Sequence, residues 1–189
     1  MTKSDSASIK KRDNKLIKQT LSGSNEAFAE LVQIYQKRIR AFGMGFFHNE
    51  TDVEDFTQEV FIKAYTNLAT FRGESLFSTW LTRIAYTTAL NSISRTKEYE
   101  TIADETLIPS SSDNPEENAI KRATREAVKE AVAELPQKYA VCIDLYFFYD
   151  TQYEEIARIT DLPLNTIKSH IFRAKKILRD KLVDFATDK

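Results

Sequence analysis

Between Leu164 and Lys181 one helix face repeats cationic and polar side chains: Lys168, Ser169, Phe172, Arg173, Lys176 and Arg179. On the other side of the same segment Ile167, Ile171, Ala174 and Leu178 recur at helical spacing and form an apolar stripe. One face packs and the other meets an anion. A helix of this width fits the DNA major groove, where Lys and Arg bind phosphates or guanine edges and an aromatic or aliphatic group meets a thymine methyl. Phe172 is the telling residue, because it lies among the charges and not in the stripe. A cationic helix face alone is often only solvated surface, so the segment before it carries weight. From Tyr153 to Lys176 the chain reads as two short helices joined by a tight turn. Asp161 tolerates turn dihedrals, Pro163 suits the first turn of a helix, and small Ala157 permits a close helix approach. These features predict a helix-turn-helix.

A second constellation lies in DVEDFTQEVFIKAYTNL. Val53, Phe56, Val60, Ala64 and Leu68 fall along one stripe, with Asp55, Gln58, Glu59 and Ile62 on the opposite face. Three chemistries compete for that face: a solvated surface, a metal site, or a docking surface. A di-iron centre in a helical bundle wants a Glu-x-x-His pair on each of two helices, and neither His48 nor His170 follows a glutamate at that spacing. An acidic, amide-bearing patch with one aliphatic anchor suits a basic helical partner.

The rest of the sequence says how these residues are positioned. The chain of 189 residues has only four glycines and four prolines, which fall at apparent segment boundaries, and no clear alternating strand run. It is therefore expected to be all-α, with room for one large or two small cores. A first helix is expected around Asn14 to Leu21 behind a frayed basic lead-in. A second runs from about Asn25 and is interrupted near Gly43 and Gly45. A third opens at an Asn49 or Thr51 cap and ends before Gly73, and a fourth is capped by Ser75. Phe77, Trp80, Leu81 and Ile84 are expected in its core. Residues 97–118 carry seven acids against one lysine, with Pro109, Pro115 and a serine triplet, and read as an extended linker. Helix resumes to Leu135, and Pro136 opens another. Residues 163–181 carry six bases against one acid, so a chain of net charge −1 has an anionic middle and a cationic foot.

The single cysteine, Cys142, sits in the apolar run AVCIDLYFFY and reads as a buried small hydrophobe in a reducing compartment. The first twenty residues lack an apolar core, and no run of about eighteen apolar residues occurs, so neither a signal peptide nor membrane insertion is expected. The expected location is cytoplasmic.

Taken in order, DVEDFTQEVFIKAY, FRGESLFSTWLTRIAYTTAL and AVAELPQKYAVCIDLYFFYDTQYEEIARITDLPLNTIKSHIFRAKKIL resemble bacterial RNA polymerase sigma factors of the extracytoplasmic function (ECF) type, in the sigma-70 family. The resemblance covers about Ala27 to Lys97 and Ala131 to Val183. It implies two helical domains, residues 1–96 and 119–189, joined by the acidic linker at 97–118. It implies that Asp55, Gln58, Glu59 and Ile62 dock on the coiled coil of the largest polymerase subunit. The loop from Thr70 to Ser75 and the following helix start match the part that captures a flipped base of the minus-ten element, with Phe71, Arg72, Ser75, Phe77, Ser78, Thr79, Trp80 and Arg83 nearby. Thr166, Lys168, Ser169, Phe172 and Arg173 match the recognition helix for the minus-thirty-five element, and Tyr153, Glu154, Asn165 and Lys176 complete that set. Two departures stand out. Asn91, Ser92, Ser94 and Arg95 replace the arginines and Asp common at the end of the second-domain DNA helix, and Asp161 stands where glycine is common.

The expected function is promoter recognition and opening with core RNA polymerase. The resemblance implies no catalytic residue, cofactor or metal, and its partners are core polymerase, promoter DNA and an anti-sigma factor. The alternative is a stand-alone helix-turn-helix regulator with an N-terminal sensory domain, for which neither a receiver pattern nor a dimer interface is evident.

Overall fold

Helix α1 runs over Lys3–Leu21 and is followed by α2 over Asn25–Met44. The computed structural model describes residues 3–47, 49–100, 127–128, 130–132, 134–147, 149 and 151–186. The segment 101–126, which holds most of the expected linker, lies outside them, as does His48. The chain divides into two units, Met1–Pro109 and Ser110–Lys189.

In the first unit α1 begins earlier than the expected Asn14, and just ahead of that position Arg12 and Asp13 make polar contacts that leave no apolar periodicity. Asp13 is buried, accepts from the Tyr35 hydroxyl at 2.5 Å and pairs with Arg12 at 2.8 Å. Burial, followed by the bond to Asp13, pushes the Tyr35 hydroxyl well above its ordinary pKa. Leu16 and Ile17 complete the inward face of α1.

The Ser24 side chain accepts from the Ala27 N–H and opens α2. This helix continues through Gly43, so the expected interruption there is a close helix approach instead. A β-carbon on Gly43 would stand 2.7 Å from Cδ1 of Phe56. Helix α3 spans Glu50–Thr66, and of the two expected caps Asn49 is the one used, accepting from the Asp52 N–H at 2.8 Å. Val53, Phe56, Val60 and Ala64 are buried against α2 and α4, and Leu68 continues the stripe into a 3-10 turn, Leu68–Thr70. Helix α4 covers Phe77–Glu100, so helix enters the span expected to be linker. The carbonyl of Leu76 accepts its first bonds, while the Ser75 hydroxyl donates to that carbonyl.

In the second unit residues 127–128 and 130–132 are helical and bury Ala127 and Ala131. Helices α5 (Gln137–Phe147), α6 (Tyr153–Thr160) and α7 (Leu164–Ala186) follow. The carbonyls of Pro136 and Pro163 accept the first bonds of α5 and α7, so each proline stands one residue ahead of its helix. The core gathers Cys142, Ile143 and Leu145 of α5, Ile156 and Ile159 of α6, and Ile167, Ile171 and Ala174 of α7. Ala157 is only half-buried, and its neighbours Ile156 and Ile159 supply the buried side chains of α6. All described regular structure is helical.

Candidate nucleic-acid and polymerase interfaces

Burying Ile167, Ile171 and Ala174 fixes which side of α7 faces outward. Lys168, Ser169, Phe172 and Arg173 line one shallow concavity there, Lys176 is exposed a turn further on, and Phe172 is 69% exposed. An aromatic ring set among cations offers a partner apolar contact beside its charge. Asn165 is exposed and Thr166 half-buried at the start of the helix. Asp161 closes α6 with φ 60° and ψ 28°, the left-handed conformation that sets the angle between α6 and α7. It occupies the position without a glycine. On α6, Glu154 is exposed and Tyr153 half-buried, its ring 5.1 Å from that of Tyr146.

One partner of this surface was not legible from periodicity. Arg173 Nη1 donates to the Tyr139 hydroxyl at 3.4 Å, a contact between residues 34 apart. That bond holds the Tyr139 hydroxyl below its ordinary pKa and orients the guanidinium. Tyr139 also packs edge-on against His170, at 5.2 Å between ring centres. Burial lowers the His170 pKa, and the charges of Lys138 and Arg173 lower it further. The neighbouring Cys142 is buried as expected, and burial pushes its thiol up to about 11, which keeps it inert at neutral pH.

In the first unit the loop after the 3-10 turn holds the second set. Gly73 turns it with φ +70°, a conformation that favours glycine. Phe71 is half-buried, with its ring 5.7 Å from Phe77 and 5.5 Å from Trp80. Arg72 and Arg83 are exposed, and Ser75 and Ser78 half-buried. Thr79 is different. At 7% exposure it is buried and offers little surface to a base. Phe77 and Leu81 are core as expected, whereas Trp80 and Ile84 are only half-buried, so the Trp80 ring forms part of an aromatic wall beside the loop.

The third set lies on α3. Asp55, Gln58 and Ile62 are exposed, Ile62 by 64%, and Glu59 is half-exposed in a 2.6 Å pair with Lys63. Tyr65, one turn beyond Ile62 and 47% exposed, extends the same surface. Sequence reading missed it because an aromatic residue inside an apolar-rich helix looks like core. Among the described residues no group of three or more His, Cys, Asp or Glu is placed to hold a metal ion, and no helix is long and apolar enough to cross a membrane.

Comparison with known proteins agrees with this arrangement of two units. Residues 31–99 match the family model for Sigma-70 region 2 and residues 125–178 that for Sigma-70, region 4. The chain is 31% identical over 182 residues to the ECF RNA polymerase sigma-E factor of Haemophilus influenzae, covering 90% of this chain and 95% of that protein. It is 32% identical over 186 residues to the ECF RNA polymerase sigma factor SigW of Bacillus subtilis, covering 93% and 97%. Among solved structures, the sigma factor RpoE in complex with the anti-sigma factor NepR from Bartonella quintana superposes with a TM-score of 0.69 at 22% identity, over 86% of this chain and 98% of that one. CnrH, in complex with the cytosolic domain of CnrY, gives 0.67 at 24% identity over 94% and 99%, and these two likenesses concern the fold. On the sequence relationships, the chain belongs to the ECF sigma factors of bacterial RNA polymerase, within the sigma-70 family.

Proposed function

We propose that three surfaces divide the work of this sigma factor. The family's function is to bind core RNA polymerase, direct it to promoters and help open them, without a catalytic group of its own. Within that function, Asn165, Thr166, Lys168, Ser169, Phe172, Arg173 and Lys176 of α7, flanked by Tyr153 and Glu154, read the minus-thirty-five element. The loop and helix start carrying Phe71, Arg72, Ser75 and Ser78, with exposed Arg83 and buried Thr79 further along α4, receive unstacked bases of the minus-ten element. Asp55, Gln58, Glu59 and Ile62 dock on the largest polymerase subunit. Residues 1–96 and 119–189 act as the two domains and 97–118 as the connection between them. The relatives solved with anti-sigma factors support an anti-sigma factor as a partner here too. A protein that works with polymerase on chromosomal DNA acts in the cytoplasm.

The observation that carries the reading is Phe172, 69% exposed on a cationic face whose opposite stripe buries Ile167, Ile171 and Ala174 and half-buries Leu178. A sensory regulator would not account for the α3 face. The test is promoter binding by holoenzyme carrying Arg173→Ala or Lys168→Ala. If Arg173 reads a base edge, its loss costs about 1 to 3 kcal/mol and relaxes specificity at one position. Loss of a phosphate-contacting Lys168 weakens binding evenly across sequences and lowers the salt slope by about one. Unchanged affinity and salt dependence in both variants would remove α7 from the interface.

A further inference from the structure

The outward face of α1 carries Lys10, Lys11, Lys15 and Lys18, which with Ala7 and Asn14 line one shallow groove. Lys11, Lys15 and Lys18 are exposed and Lys10 half-buried, and none of the four has an ion-pair partner among the described residues. Asp13, the only acid between residues 6 and 25, is buried and consumed by Arg12 and Tyr35. The face is thus uniformly cationic, and the clamp on its inner side fixes the helix that presents it. Helix α1 also packs against the 3-10 turn Leu68–Thr70, which leads directly into Phe71 and the loop after it.

From these observations we infer that the lysine face of α1 is a third DNA-contacting surface, which grips the phosphodiester backbone of promoter DNA flanking the minus-ten element. The inference rests on the reading that places that element at Phe71 to Ser78. Lys10 to Lys18 covers about 12 Å of helix axis, enough to follow about three phosphates of one strand. The groove has no large apolar side chain, so it lacks both the anchor a protein hot spot needs and the wedge a membrane-surface helix needs. Flexible ammonium groups without a fixed acceptor suit a sequence-independent contact with phosphate. The surface therefore adds affinity and salt dependence and leaves base choice to the other two sites.

The experiment uses holoenzyme assembled from core polymerase and the full chain. Promoter affinity is titrated over about 50 to 200 mM salt. A variant with Lys10→Gln, Lys11→Gln, Lys15→Gln and Lys18→Gln is expected to bind about tenfold more weakly. Its salt slope should be shallower by about two to three, given roughly 0.9 per phosphate. The loss should be equal on promoters with intact and scrambled minus-thirty-five elements, and the matching four-arginine variant should restore binding. The two glutamine pairs tested separately should each give part of the effect, which guards against a folding defect in the quadruple variant. An unchanged slope overturns the inference, as does a loss located at core-polymerase binding without DNA, which would make the partner an acidic protein surface. A loss that persists on a fragment carrying only the minus-thirty-five element overturns it as well. Failure of the underlying minus-ten reading is separately visible: Phe71→Ala and Arg72→Ala holoenzyme would then open promoters like wild type.

Discussion

Gly43 stands where α2 comes close to α3, and a methyl group there would meet Cδ1 of Phe56 at 2.7 Å and Cε1 at 3.0 Å. Phe56 is itself buried, so its ring has little room to retreat. Two effects oppose each other in Gly43→Ala. Alanine favours the helix by about 1 kcal/mol, while overpacking a filled core costs about 1 to 3 kcal/mol. The core is expected to win, leaving the variant up to about 2 kcal/mol less stable by denaturant titration, although the same substitution on a free helix face would stabilise. A more stable variant would mean that α2 and α3 separate more easily than their packing implies. Sequence reading took Gly43 for a helix breaker, because composition reports that a residue lacks a side chain and not what occupies the space. The turn at Asp161 was more legible, since Asp is among the few residues that accept positive φ and the helix patterns on either side left it nowhere else to be.

At the scale of elements, amphipathic stripes were the dependable signal. On α3 the count that separated Val53, Phe56, Val60, Ala64 and Leu68 from Asp55, Gln58, Glu59 and Ile62 also separates buried from solvent-facing side chains. On α7 the same reasoning divided Ile167, Ile171 and Ala174 from Lys168, Phe172 and Arg173. The front half of α1 escaped it, because the contact that anchors that helix is a buried Asp13–Tyr35 hydrogen bond between partners 22 residues apart. What α3 does with its outer face is testable by charge reversal. Glu59→Lys replaces the pair with Lys63 by a repulsion one turn apart, which costs a stability of only about 0.5 to 1 kcal/mol. Docking on a basic partner suffers more, and core-polymerase binding and promoter-dependent transcription should both fall at least about tenfold, since like charges across an interface cost several kcal/mol. Binding of minus-thirty-five DNA by the surface around Phe172 should be unchanged. A folded Glu59→Lys protein that binds polymerase fully would return the face to plain solvated surface.

At the scale of the whole molecule, pH acts on the stability of the second unit through Asp144 and His170. In the second unit Asp144 lies within α5, where burial raises its carboxyl from 3.8 to about 6. A raised carboxyl pKa means that the native state resists ionisation. The contribution to stability is complete below 3.8 and is lost as pH rises through about 6, so at neutral pH the second unit carries a penalty. His170 acts in the opposite sense. Its lowered pKa means that the unfolded chain takes up the proton first, so its contribution is present above 6.5 and is lost on acidification below that value. Asp144→Asn removes the first effect and leaves the second. It should stabilise the second unit at pH 8 by about 1 to 3 kcal/mol, shrink in effect between 6 and 3.8, and converge on the wild type below that range. Two probes read the units apart: fluorescence of Trp80, the single tryptophan, reports the first unit, and circular dichroism reports the helices of both. The component of the dichroism transition that Trp80 does not follow should move with pH in the wild type and lose its carboxyl-dependent limb in the variant. If Asp144→Asn has the same effect at pH 8 and pH 4, the group is not titrating against burial and makes no contribution to the pH dependence of the second unit.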